Sequence, residues 1–194
     1  MRSASRPLAV LALAAALPLA GCILEDDSDR RPIVNETIVY NSGIQSAVFQ
    51  FDAFDVTYTT PDQGAYVEYQ TNLIDQDTYE AGMVLLYADG ALINGIEGES
   101  WSALPLTFGT DLDEDGLVDV TTAFGYTFRP NVIAIELQAS SPLPVSEGGT
   151  DRGFDFLGVL DMRLVTIPPG EFLRAEGLDF TDYEAVQRFY GLPN

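Results

Sequence analysis

From Val118 to Phe128 the chain alternates in steps of two: Val118, Val120, Thr122, Phe124, Tyr126 and Phe128 fall on one side, against Asp119, Thr121, Thr127 and Arg129 on the other. Successive side chains of an extended strand point to opposite faces, so this period dictates a half-buried strand and excludes a helix. The same signal recurs along the chain. Phe49 and Phe51 alternate with Gln50 and Asp52, and after a phase change that marks a bend Phe54, Val56 and Tyr58 alternate with Asp55 and Thr57. Val67, Tyr69 and Thr71 share a face, as do Leu104, Leu106 and Phe108, where Pro105 pushes the strand toward a sheet edge. Ile133, Ile135 and Leu137 point inward, followed by Leu160, Met162 and Leu164, with Asp161 and Arg163 outward. Met83–Tyr87 is apolar throughout, as expected of a central strand covered on both faces.

Turn signals such as Pro61 to Gly64 separate seven or eight such runs without intervening helices. The expected fold is therefore mainly β: an antiparallel β-sandwich, immunoglobulin-like or jelly-roll-like, with one short C-terminal helix. That helix starts at a capping box, Thr181 with Glu184, carries an apolar stripe of Val186, Phe189 and Tyr190, and stops at Gly191. It is too short to persist alone and must pack across an edge or an open end.

The N-terminus reads differently. Arg2 and Arg6 precede an apolar run that is too short to span a bilayer and ends in small residues, as a signal peptide does. Leu19-Ala20-Gly21-Cys22 resembles the bacterial lipobox, which implies that Cys22 is lipidated and becomes the first residue of the mature chain. Ile23 stands where the inner-membrane retention pattern has Asp, so the outer membrane is the expected destination, with an outward-facing and a periplasmic body both open. Cys22 is the only cysteine, so the body is held by its core without an internal disulfide. The expected layout is a signal peptide at 1–21, a lipidated acidic tether at 22–46, the β-domain at 47–168 and a C-terminal extension at 169–194.

Charge narrows the function classes. The formal net charge is −21, all nine cations are Arg, and removal of Arg2 and Arg6 makes the mature chain more negative still. No nucleic-acid partner is expected on this ground, and an anionic membrane surface is expected to repel the chain. The chain contains no His, which rules out a Ser-His-Asp or Cys-His arrangement within it and the usual zinc sites. Hydrolysis by a pair of carboxylates remains open.

In "TDLDEDGLVD", Asp111, Asp113, Asp115, Gly116 and Asp119 take positions 1, 3, 5, 6 and 9 of a calcium loop, with the Leu117 carbonyl at position 7. Thr122 stands at position 12, where the helix-loop-helix calcium motif has a bidentate Glu, and the flanks read as strands. The alternative is a soluble acidic hairpin reversal at Asp115-Gly116. Asp75, Asp77 and Glu80 form a second, weaker candidate for a metal that reads more readily as a polar loop, and the Asn35-Glu36-Thr37 sequon reads as a chance match. The long Pro- and Gly-rich connection "SSPLPVSEGGTDRGFDF" is the expected recognition loop, with Arg152, Phe154 and Phe156 as candidate binding residues; the two aromatics can equally fold back onto the core.

"VLLY", "WSALPLTF", "GYTFRPNVIAIEL", "MRLVTIP" and "DFTDYEAV" together resemble a family of small uncharacterised bacterial lipoproteins. The resemblance covers roughly Phe49 to Gly191 and rests most on Trp101, Leu104, Pro105, Thr107 and Phe108 and on the Asp182 to Val186 helix. Some members carry a collagen-like Gly-x-y tract behind the lipidated Cys, which this chain lacks, and the resemblance implies no activity. The expected function is a lipid-anchored, non-catalytic surface module that binds a protein or glycan partner or serves the envelope structurally. The alternatives are a carboxylate-based glycan hydrolase and an accessory subunit of an outer-membrane complex. Calcium is the one cofactor that the residues suggest.

Overall fold

The alternating runs extend into strands in the computed structural model, which describes residues 38–39, 43–60, 63–89, 101–111, 116–141, 154 and 157–192. In chain order the strands are β1 (Ile38–Val39), β2 (Gln45–Asp52), β3 (Thr57–Thr60), β4 (Gly64–Gln70) and β5 (Met83–Asp89), then β6 (Trp101–Ala103), β7 (Leu106–Thr110), β8 (Val120–Arg129), β9 (Val132–Ala139) and β10 (Val159–Ile167). They form two five-stranded antiparallel sheets, ordered β1-β2-β10-β5-β6 and β3-β4-β9-β8-β7. The domain is mainly β with a few short helices.

One core joins the two sheets. Phe49 and Phe51 of β2, Leu86 of β5 and Met162 and Leu164 of β10 meet Val67 and Tyr69 of β4, Phe124 of β8 and Ile133 and Ile135 of β9. Ring pairs bridge the layers, Phe49 to Tyr69 at 4.8 Å and Phe51 to Phe124 at 5.5 Å between centroids. Every residue expected inward on β9 and β10 is buried. Each large apolar side chain withdrawn from water contributes roughly 1.5–3 kcal/mol, which lets the body stand without a disulfide.

The chain passes repeatedly from one sheet to the other. A 3₁₀ turn at Ala53–Asp55 makes the first crossing, and the Asp52 carboxylate caps it by accepting from the Phe54 amide at 2.9 Å. This is the phase change seen in the sequence. "WSALPLTF", read as one edge strand, proves to be two: β6 is an edge of the first sheet, β7 an edge of the second, and the cis Leu104–Pro105 bond lies between them. The β8–β9 hairpin turns on Pro130 and Asn131, whose φ of 62° is the left-handed value a type II turn demands at its second position.

The expectation of a single helix is corrected. Besides the C-terminal helix there are α1 (Gln76–Ala81) and α2 (Pro169–Phe172), and we label the last helix α3 (Tyr183–Tyr190). Asp75, read as part of a polar loop, is the N-cap of α1 and accepts from the Thr78 amide at 2.7 Å. Six and four residues are too few to display a helical stripe, so neither helix has a periodic signature. The cap of α3 also moves by one residue. Asp182, not Thr181, accepts from the Ala185 amide at 3.0 Å, while Thr181 bonds back to Asp179. Gly191 ends the helix with φ 68°, a conformation in which a β-carbon is costly.

A third layer covers the outer face of the first sheet. Tyr87 of β5 and Val165 and Ile167 of β10 pack with Ile44 and with Tyr183, Val186 and Leu192 of the C-terminal segment. β5 and β10 are therefore enclosed on both faces, as the apolar run at Met83–Tyr87 requires.

Candidate functional site

The C-terminal segment does more than cover a sheet. After α2 the chain winds through successive tight turns, Arg174 N to Glu171 O at 3.1 Å, Ala175 N to Phe172 O at 3.1 Å and Leu178 N to Ala175 O at 3.0 Å. These turns bring Phe172, Leu178 and Phe180 to one wall, the two phenyl rings 6.0 Å apart. With Leu173, Ala175 and Glu176 they enclose an open groove of about 410 Å³. Leu173, one of the lining residues, is 76% exposed.

The groove is fixed to the sheet from behind. The Tyr87 hydroxyl donates to the Phe180 carbonyl at 2.8 Å, and burial pushes the Tyr87 phenol well above its ordinary value, so the donor proton stays in place. Tyr190 donates to the Glu171 carbonyl at 3.5 Å, and burial raises its phenol too. The rim is polar. Arg174 pairs with Glu171 at 2.9 Å, and Asp179, held below the usual carboxylate range by hydrogen bonds from the Thr181 hydroxyl and amide, stays ionised.

The C-terminal segment also covers a buried cation. Arg163 is 5% exposed, with its guanidinium carbon 4.7 Å from the Trp101 ring centroid and 5.0 Å from that of Tyr183. Its Nη1 donates to the Tyr183 hydroxyl. Tyr183 in turn packs edge-on to Tyr87 at 5.0 Å. Arg163 does lie on the outer face of its strand, as its alternation predicts, but the expectation that it meets solvent is corrected: the face is roofed by α3. Alternation reports which side a residue takes and not what lies beyond it. The arrangement is the desolvated cation–π geometry that Arg favours over Lys.

Nothing periodic in the sequence announces the groove. Phe172, Leu173, Leu178 and Phe180 show no repeat of two or 3.6, and the only signal is a cluster of large apolar residues in a stretch rich in Pro and Gly.

The residues singled out in the sequence fall elsewhere. Phe154 is fully buried, its ring stacked 6.0 Å from Tyr58, and its amide donates to the Tyr58 hydroxyl at 3.2 Å. It is a core residue and presents no binding surface. Arg152, Phe156, Asp113, Asp115 and Cys22 lie outside the described residues. Asp111 Oδ2 accepts from the Gly116 amide at 2.7 Å, and Gly116 has φ 89°. Asp111 Oδ1 is buried and receives no hydrogen bond from a described residue. Leu117 and Val118 are exposed, and Asp119 follows them just ahead of β8. Among the described residues no group of three or more His, Cys, Asp or Glu side chains is placed to hold a metal ion. Within the same residues no helix is long and apolar enough to cross a membrane.

Comparison with protein-family models, curated proteins and solved structures finds no match for this chain.

Proposed function

We propose that this chain is a lipid-anchored protein of the bacterial envelope, belonging to the small lipoproteins its motifs resemble and carried to the outer membrane. Its body, an immunoglobulin-like or jelly-roll-like sandwich, serves a binding or structural role toward a protein or glycan and performs no catalysis. The observation that carries this reading is Leu19-Ala20-Gly21-Cys22 behind an apolar leader, followed by Glu25, Asp26, Asp27 and Asp29 and then by the two-sheet body. The motif provides a thiol to acylate at the point where a solvated acidic stretch begins, and more than one acyl chain makes an anchor durable. Mass spectrometry of the N-terminal peptide from the native host tests it. Acylated Cys22 at the mature N-terminus is expected, with loss of membrane association in Cys22→Ser; an unmodified thiol in membrane-extracted protein overturns the reading.

A second reading concerns calcium, and the buried Asp111 Oδ1 favours it, because a carboxylate oxygen withdrawn from water needs a donor or a cation. Asp111, Asp113, Asp115 and Asp119 with the Leu117 carbonyl would supply the hard oxygen ligands calcium takes, at the millimolar affinity of extracellular modules. Calcium is expected to raise the melting temperature, and Asp113→Asn with Asp115→Asn to abolish the rise. An equal response in the double variant removes the site.

A further inference from the structure

The groove of the C-terminal segment sits at the end of the body where the N-terminal chain enters. β1 pairs Ile38 with Ser46 and Val39 with Gln45, the first residues of β2. Gly43 neighbours Pro168, whose ring a β-carbon on it would touch at an ordinary 3.7 Å, and α2 starts at the next residue. Phe172 closes α2 and opens the groove. The other end of β2 leads away, to the exposed Phe54.

We infer that this groove is a membrane-contacting surface, which takes the headgroup and upper acyl-chain region of a zwitterionic leaflet, the one that holds the anchor. The inference rests on the proposed acylation of Cys22. From Cys22 to Ile38 the chain reaches at most about 55 Å, so the entry end of the body stays within reach of the bilayer surface. A tether of that length turns a weak contact into an intramolecular one at high effective concentration. The chemistry of this end fits. Leu173, which lines the groove, is 76% exposed, and the last helix displays Phe189, 52% exposed, next to Tyr190, whose hydroxyl donates to the carbonyl of Glu171, the residue before Phe172. Large apolar side chains so displayed on a chain of net charge −21 gain by shallow insertion at the acyl boundary, as interfacial amphipathic segments do. The rim sets the lipid class. Glu176 lines the groove, Glu171 and Asp179 stand next to its lining residues in sequence, and Arg174 is already paired with Glu171, so anionic headgroups are repelled and zwitterionic ones are not.

The test uses the full acylated protein. Leu173→Cys and Phe54→Cys each offer an exposed thiol for an environment-sensitive fluorophore, because acylation blocks Cys22, the only cysteine in the chain. In phosphatidylcholine vesicles the label at position 173 is expected to shift to the blue and to be quenched by nitroxide-bearing lipids, while the label at position 54 keeps its aqueous emission. Doping the vesicles with phosphatidylglycerol should reduce the shift at 173. Flotation with the vesicles and the mass of the N-terminal peptide report the anchor separately. A protein that floats, carries the acylated peptide and keeps a water-like label at 173 overturns the inference and leaves the anchor standing. A shift already present before vesicles are added places the protein's own acyl chain in the groove and also overturns it. So does a response that is undiminished by phosphatidylglycerol. A protein that is neither acylated nor floating removes the anchor and the inference together.

Discussion

Arg163 shows how far a single side chain can depend on its neighbours. A cation removed from water is costly unless charge density faces it from close by, and here the faces of Trp101 and Tyr183 supply it at 4.7 and 5.0 Å. The guanidinium also joins three elements, since Trp101 lies on β6, Arg163 on β10 and Tyr183 on α3. Arg163→Ala is expected to destabilise the body by about 2 kcal/mol or more, because it removes two desolvated cation–π contacts and a hydrogen bond to the Tyr183 hydroxyl. Arg163→Lys should not restore the loss, as an ammonium cannot stack between two rings. Urea denaturation measures the change. The emission of Trp101, the one tryptophan, should move to the red in the native state of both variants as the roof over it loosens. Stability equal to the parent in Arg163→Ala would show that the stack contributes nothing net.

At the scale of elements, the short helices are defined by their caps. α1 has six residues, below the length at which a helix persists alone, and it owes its position to Asp75, to buried Thr78 and to the close approach at Gly82. A β-carbon at Gly82 would come within 2.7 Å of the Ile167 carbonyl, so only glycine lets β5 leave α1 against β10. The hydrogen bond from the Thr78 amide holds the Asp75 carboxyl below its ordinary value. A group whose folded value is depressed contributes stability that is complete above its unfolded value, about 3.9 for Asp, and is lost as pH falls through the folded value. Asp75→Ala is therefore expected to cost about 1 kcal/mol at neutral pH, and the difference from the parent should shrink below about pH 4. Asp75→Asn, which caps without titrating, should track the parent at neutral pH and lose less on acidification. Denaturation midpoints across this range check both, and a pH-independent difference would mean that the ionised cap is not what holds the turn.

Charge governs the molecule as a whole. Thirty acidic residues face nine Arg, and pairs such as Arg129 with Glu68 at 2.8 Å and Arg188 with Glu184 at 3.4 Å neutralise only part of the excess. Self-repulsion of this size opposes compaction and is screened by salt over a Debye length of about 10 Å at 0.1 M. The melting temperature is expected to rise with sodium chloride from low ionic strength upward; a fall would show that the attractive pairs outweigh the repulsion.

The positions and facing of most strands were legible in the sequence because a period of two is a property of the extended backbone and needs no knowledge of what lies opposite; Phe54 and Val118, placed by the same alternation on the apolar side, instead fall outside the strands and are exposed. The two-sided burial of β5 was legible for the same reason, since an apolar run without alternation leaves neither face fit for water. What the sequence could not carry were relations between distant segments. That "WSALPLTF" divides between two sheets, that Arg163 lies under α3 and that Phe154 stacks on Tyr58 depend on which surfaces meet, and this is decided by the shared core and not by any local pattern. The groove at Phe172 to Phe180 was illegible for a different reason, since its residues are neighbours in the chain. Its walls are irregular turns without a period, so no repeat announces them, and it is docking of the C-terminal segment on the outer face of the first sheet that holds those turns in place.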